Sequence, residues 1–202
     1  MHKIAVLISG SGSNLQAIID NIENGHLNCS IEFVISDKPD VYGLKRAEEK
    51  GIKTLVFDKK IYKSNLSNAI LEVIDNKVDF IVLAGFLSIL KGEILDKFNN
   101  RIINIHPSLI PSFCGAGMYG IRVHESVIKS GVKVSGCTVH FVDKGTDTGP
   151  VILQKVVPVY FEDDAQSLQK RVLEQEHIAL PEALNLLLQG RVSVIDNRVK
   201  IL

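Results

Sequence analysis

Asn104 and His106, in the run Ile103-Asn104-Ile105-His106-Pro107, are spaced to act together. Two positions apart in an extended segment, an amide and an imidazole project to the same side. The amide can donate to a developing oxyanion and the imidazole can move a proton near neutral pH, the pair that acyl transfer requires. A lone histidine usually just satisfies a buried strand end; the asparagine before this one and the proline-bounded loop after it favour a role in chemistry. Asp147 is the acid within reach of such a site. It lies in Asp143-Lys144-Gly145-Thr146-Asp147-Thr148-Gly149-Pro150, a loop able to carry a carboxylate to a crevice, there to orient His106, polarise a water or carry a proton. On residue types alone, an Asp that only shapes the turn is the simpler account. His124, starting a helix, and His140, on a strand, carry weaker signals. His2, His26 and His177 form no ligand spacing with any Cys, Asp or Glu, so no metal is expected.

A second chemistry is written in Ser9-Gly10-Ser11-Gly12-Ser13-Asn14, between an apolar run and a helical segment. Its glycines allow a sharp turn and close approach to a ligand, while N–H groups at a helix start and the hydroxyls of Ser11 and Ser13 suit a phosphate. Ser13 or Asn14 could instead merely cap the helix, but capping alone does not call for two glycines and three serines in succession. Asp37 stands where a dinucleotide fold would place its ribose-binding acid. The third glycine of that fingerprint is missing, Leu15 standing near its place, and no Walker lysine is present, so a phosphomonoester is favoured over a nucleoside triphosphate.

These residues need a frame. Apolar, β-branched runs at Lys3 to Ile8, Ile31 to Ser36, Lys53 to Phe57, Asp79 to Ala84 and Arg101 to Ile105 alternate with helical periodicity at Asn14 to Glu23, Tyr42 to Glu49, Ile61 to Asn76 and Lys91 to Phe98. The pattern predicts an α/β fold with a doubly wound, mostly parallel sheet and a ligand crevice at the carboxyl ends of its strands. After Pro107 come a Gly-rich stretch, a helix near Val123 to Lys129, and strands at Val134 to Val142 and Val151 to Pro158, expected as antiparallel additions to the sheet edge. A helix from about Asp164 to Gln189 follows, with Leu168, Val172, Ile178, Leu180, Leu184 and Leu187 as its apolar face and Gly190 as its stop. Val192 to Leu202 reads as a hairpin turning at Asp196-Asn197. With no linker signal, one domain is expected, its halves sharing the sheet.

Composition sets limits on all this. The 202 residues are 46% hydrophobic and 23% charged, an ordinary globular mixture. Twenty-three basic residues balance 23 acidic ones, so no global field holds a nucleic acid, and any anion must be bound locally. Cys29, Cys114 and Cys137 show no paired spacing and read as free thiols of a reducing cytosol. The apolar run Ile4 to Ile8 is too short for a signal-peptide core, and no stretch approaches a membrane span, so a cytoplasmic location is expected.

Five segments in order, KIAVLISGSGSNLQAII, LAGFLSIL, INIHPSLIPSF, HFVDKGTDTGPVILQ and QEH, together resemble the phosphoribosylglycinamide formyltransferase family over essentially the whole chain. The resemblance implies a Rossmann-like formyltransferase fold and transfer of a formyl group from 10-formyltetrahydrofolate to the amine of glycinamide ribonucleotide, in purine synthesis and without a metal. It implies a nucleotide-binding half at 1–106 and a folate and catalytic-loop half at 107–202. Asn104, His106 and Asp147 match the family's catalytic trio. Gly12, Ser13 and Asn14 match its phosphate loop, and Glu176 matches an acid that contacts the ribonucleotide. Phe86, Leu87, Ser88, Ile89 and Leu90, with Val142 and Asp143 in the loop reaching Asp147, match the folate pocket. Cys114 matches no catalytic position.

Two features depart from the pattern. Ser88 stands where well-known members carry Arg, which implies a changed polar contact to the folate. The loop Ser112 to Arg122 is longer than in some members, and Gly115, Gly117 and Gly120 suggest a mobile flap. Among relatives using the same trio, a methionyl-tRNA formyltransferase is expected to add a basic carboxyl-terminal domain and a formyltetrahydrofolate hydrolase an amino-terminal one, whereas here the sheet begins at Lys3 and the chain ends soon after its long helix. A non-catalytic nucleotide-binding module would not need the intact trio. The expected partners are the two small molecules, with no nucleic acid or membrane, in a monomer or homodimer.

Overall fold

A computed structural model describes residues 1–202. It contains a seven-stranded sheet, in the spatial order Thr54–Val56, Cys29–Ser36, His2–Ile8, Phe80–Leu83, Ile102–His106, Val134–Phe141 and Val151–Pro158, and a separate two-stranded one. The chain forms two compact units, Met1–Asn104 and Ile105–Leu202.

In the first unit, β1 (His2–Ile8) lies between β2 (Cys29–Ser36) and β4 (Phe80–Leu83), parallel to both, with Val6 opposite Val34 and Val82. Ile4 to Ile8 are fully buried, which is why the run is continuously apolar rather than alternating. Strand β3 (Thr54–Val56) adds to β2, and β5 (Ile102–His106), whose last two residues begin the second unit, pairs with β4, both parallel. Helices α1 (Ser13–Glu23) and α2 (Tyr42–Glu49) follow β1 and β2 as the periodicity predicts. The helix expected at Ile61 to Asn76 is divided instead. Lys63, at φ 46°, ends α3 (Lys59–Tyr62), and α4 (Leu66–Ile74) begins after one tight turn; an apolar period alone carries no signal for that reversal. The helix expected at Lys91 to Phe98 is shorter, α5 (Glu93–Lys97).

In the second unit, α6 (Ile121–Ser130) precedes β6 (Val134–Phe141) and β7 (Val151–Pro158), which pair antiparallel as expected. Their register slips between Val139 and His140, where Leu153 and Val151 are the successive partners; such a bulge re-aims the side chains beside it. Helix α7 (Ala165–Leu188) starts with an Asp164–Ser167 capping box. Its buried stripe differs from expectation: Ile178 is 52% exposed, while Glu176 is buried. Stepping by four from Leu168 reaches Val172, Glu176, Leu180 and Leu184, so Glu176 occupies the inward position and Ile178 falls off the stripe. The last segment is the expected hairpin, β8 (Val192–Ile195) and β9 (Arg198–Ile201), turning through Asp196 and Asn197 with positive φ at both, which their short polar side chains tolerate. No helix is long and apolar enough to cross a membrane.

Candidate active site

Strand β5 carries both Asn104 and His106, so period-two geometry puts their side chains on one side of the strand. His106 is nearly fully buried. Its Nε2 lies 3.0 Å from the Phe113 carbonyl, and since a carbonyl only accepts, Nε2 carries a proton. Nδ1 faces Asp147 Oδ2 at 3.6 Å. Each ring nitrogen of His106 thus has an oxygen acceptor in front of it. Asp147 also takes the Gly115 N–H on Oδ2 at 2.9 Å, and its Oδ1 lies 3.7 Å from His140 Nε2. Asp147 therefore joins two histidines, and the turn-only account of this residue is insufficient.

Sequence reasoning underrated His140 and His124. His140 is buried on β6, opposite Val151 where β7 carries one extra residue, and its Nδ1 donates to the Phe141 carbonyl at 2.7 Å. Burial pushes its pKa below the usual value. His124, on α6, is also buried; desolvation, with the positive charge of His106 as a smaller cause, pushes it down to about 4. The only signal available beforehand was histidine itself within apolar segments.

The loop after His106 is fastened at its start. Ser108 Oγ donates to the Ser112 carbonyl at 2.6 Å and to the Phe113 carbonyl at 3.2 Å, and Thr138 Oγ1 donates to the Ser108 carbonyl at 2.7 Å. Cys114 donates from Sγ to the Pro111 carbonyl, and burial and the charge of Asp147 raise its pKa, so it stays a thiol and is poorly suited to nucleophilic attack. A cleft of about 520 Å³ runs past Ile110, Cys114, Asp147 and Pro150. Val142 and Asp143 begin the loop that bears Asp147; Asp143 Oδ1 accepts from Gly145 N–H and Thr148 Oγ1, which holds that loop closed on itself. Glu176 points inward from α7.

In Met1–Asn104, the Ser9–Asn14 loop leads into α1. Gly12 has φ 72° and precedes the first helical turn, where no side chain forms a capping hydrogen bond, so the capping account of Ser13 and Asn14 is not realised. A Cβ on Gly12 would stand 2.6 Å from Gly43 Cα, hence the glycine at both places. Ser9 Oγ accepts from the Leu87 N–H at 2.8 Å, which joins this loop to the Phe86–Leu90 segment. There, Phe86 and Leu90 are buried anchors, whereas Leu87 and Ile89 are exposed at 42% and 53%, apolar surface suited to a flat ligand. Ser88 differs from expectation. Its hydroxyl donates to the fully buried Asp37 at 2.5 Å, so it serves the protein's own carboxylate, and Asp37 in turn is not open to a ribose. No three His, Cys, Asp or Glu side chains are grouped to hold a metal ion.

The formyl transferase family model matches residues 2–184. Among curated proteins, the chain is 44% identical to the trifunctional purine biosynthetic protein adenosine-3 of Homo sapiens over 96% of its own length; it spans about a fifth (19%) of that protein. It is 40% identical to the phosphoribosylglycinamide formyltransferase of Haemophilus influenzae, over 98% of this chain and 92% of that protein. Among solved structures, glycinamide ribonucleotide transformylase 1 from Symbiobacterium toebii matches with a TM-score of 0.94 at 43% identity, covering 100% of this chain and 94% of that one. The fold, the full-length relative and the family match together place the chain: it belongs to the formyl transferase family, among the phosphoribosylglycinamide formyltransferases.

Proposed function

We propose that this chain transfers the formyl group of 10-formyltetrahydrofolate to the amine of glycinamide ribonucleotide, in the purine synthesis of the cytoplasm. The observation that carries the reading is a buried histidine at the end of β5 with Asp147 3.6 Å from its Nδ1 and an asparagine two residues earlier on the same strand.

The amine nitrogen attacks the formyl carbon, and the carbonyl electrons move onto oxygen. Asn104 and the imidazolium of His106 donate to that oxyanion. The carbon–N10 bond then breaks, and the proton shed by the amine passes by way of Asp147 and a water to N10. No bond to the enzyme forms, which agrees with a protonated Cys114. For His106 to face an oxyanion, one of its present acceptors must yield. The Phe113 carbonyl is the one that can, since glycines at 115, 117 and 120 follow it.

Gly12, Ser13 and Asn14 hold the ribonucleotide phosphate, and Glu176 accepts from the remainder of that substrate. Phe86 to Leu90, with Val142 and Asp143, receive the folate, Leu87 and Ile89 offering the apolar contact. The half 1–106 thus carries the phosphate loop, Phe86 to Leu90, Asn104 and His106, and the half 107–202 carries the Asp147 loop and Glu176. Mixing the protein with both substrates should release tetrahydrofolate in step with formylated ribonucleotide. Release of formate at the same rate without the ribonucleotide would mean hydrolysis and overturn the reading.

A further inference from the structure

Arg46 of α2 lies against the Ser9–Asn14 loop and is held there from three sides. Its Nε donates to the Ser11 carbonyl at 2.9 Å, its Nη1 donates to Gln16 Oε1 at 3.1 Å, and the guanidinium lies 4.8 Å from the centroid of the Tyr42 ring. The register of α2 explains the aim. Gly43 N–H donates to the Gly10 carbonyl at 3.1 Å, and the Gly12–Gly43 approach presses the first turn of α2 onto the loop, so the residue one turn later meets Ser11. No carboxylate pairs directly with Arg46. Asp20 is linked to it only through Gln16, whose Nε2 donates to Asp20 Oδ1 at 2.8 Å.

We infer that Arg46 is a positioning residue for a phosphomonoester dianion, a role that rests on the loop being the ribonucleotide's phosphate site. In a trans peptide the N–H points opposite to the C=O. Holding the Ser11 carbonyl towards α2 therefore turns the Gly12 N–H away from α2, to the open side of the loop. The same contact fixes behind the loop a positive charge that no carboxylate cancels. A planar guanidinium does both at once, because its fork spans the Ser11 and Gln16 acceptors while the remaining N–H groups stay unused. The ordering is complete before any ligand arrives, so it does not weaken binding.

The test measures both substrates. Arg46→Met should raise KM for glycinamide ribonucleotide about tenfold while kcat and KM for the formyl donor stay within about twofold. Arg46→Lys keeps the charge but cannot span both acceptors, and should recover part of the loss. Independently of turnover, inorganic phosphate is titrated into the wild type and Arg46→Met, with the Gly12 and Ser13 amides followed by NMR. Those amides should shift in the wild type and saturate at higher phosphate in the variant. If KM rises equally for both substrates with a lowered Tm, Arg46 is merely structural and the inference falls. It falls too if an active wild type shows no phosphate shift at those amides, although the transfer reading then stands. If the wild type transfers no formyl group while phosphate moves the amides and the variant weakens it, the transfer reading falls and the role of Arg46 remains.

Discussion

The Ser9–Asn14 loop and the His106–Asp147–His140 cluster are made of different materials. The loop is backbone: contiguous residues, a left-handed glycine and peptide groups, with the Arg46 side chain of α2 and the Leu87 N–H only bracing it. The cluster is side chain, drawn from the end of β5, from β6 and from a loop, and knit together by the Phe113 carbonyl and the Gly115 N–H. A backbone device fixes where a substrate sits and tolerates little change in shape. A side-chain device sets where protons go and depends on charge. The two should therefore fail differently, one in affinity and the other in turnover.

Replacing His106 by Ala is the sharpest way to test that contrast. The fold should persist, since β5 keeps its parallel ladder to β4, while kcat falls on the order of a hundredfold or more. Near-normal turnover in a folded His106→Ala protein would remove the cluster from the mechanism. Asp147→Asn comes next. Asparagine accepts the left-handed backbone of this position but cannot hold the imidazolium by charge, so kcat should drop on the order of tenfold to a hundredfold at unchanged Tm. A loss in KM alone would make Asp147 a binding residue.

Gly12→Ala probes the other device. Its Cβ would press on the Gly43 backbone from a left-handed position, costing roughly 1–3 kcal/mol of stability. The kinetic loss should fall on KM for the ribonucleotide, with kcat nearly kept; a loss confined to kcat would erase the proposed division. The last effect concerns pH. His124 is held near 4 against a usual value of 6.5, so the unfolded chain takes up a proton that the folded protein refuses. Stability is thus complete above about pH 6.5 and is lost as pH falls towards 4, by at most about 1.4 kcal/mol per pH unit for each such group. His140, also pushed down by burial, adds in the same direction. Urea unfolding at a series of pH values should show this slope, and His124→Gln should flatten it. An unchanged slope would mean that His124 titrates normally.

How much of this is legible in the sequence follows the same division. The parallel strands were readable because burial on both faces leaves continuous apolar runs, and the anion loop was readable because its glycines and serines are neighbours. Asn104 and His106 were readable because strand period is simple. The part played by His140 was not, since it rests on the loop that brings Asp147 within 3.7 Å, a tertiary contact that no local pattern encodes. Glu176 on the buried stripe of α7 and the Ser88–Asp37 hydrogen bond were hidden for the same reason: polar groups find inward partners through tertiary contacts, and periodicity counts only the apolar ones. The break at Lys63 was missed because it turns on one backbone angle.

Phe113 and Asp147 both hold left-handed backbone, at φ 52° and 57°. Such a conformation is cheap for Asp and Asn and costs a bulky aromatic on the order of 1 kcal/mol or more. The two positions should accordingly answer a saturation library in opposite ways. At 147, Gly and Asn would give well-folded but weakened enzymes, and β-branched residues would be lost before their chemistry could matter. At 113, Gly and Asn would yield proteins more heat-resistant than the parent. The wild-type residue at 113 thus leaves the parent chain below the stability its fold could reach, an unused reserve from which drift elsewhere in the chain could be tolerated.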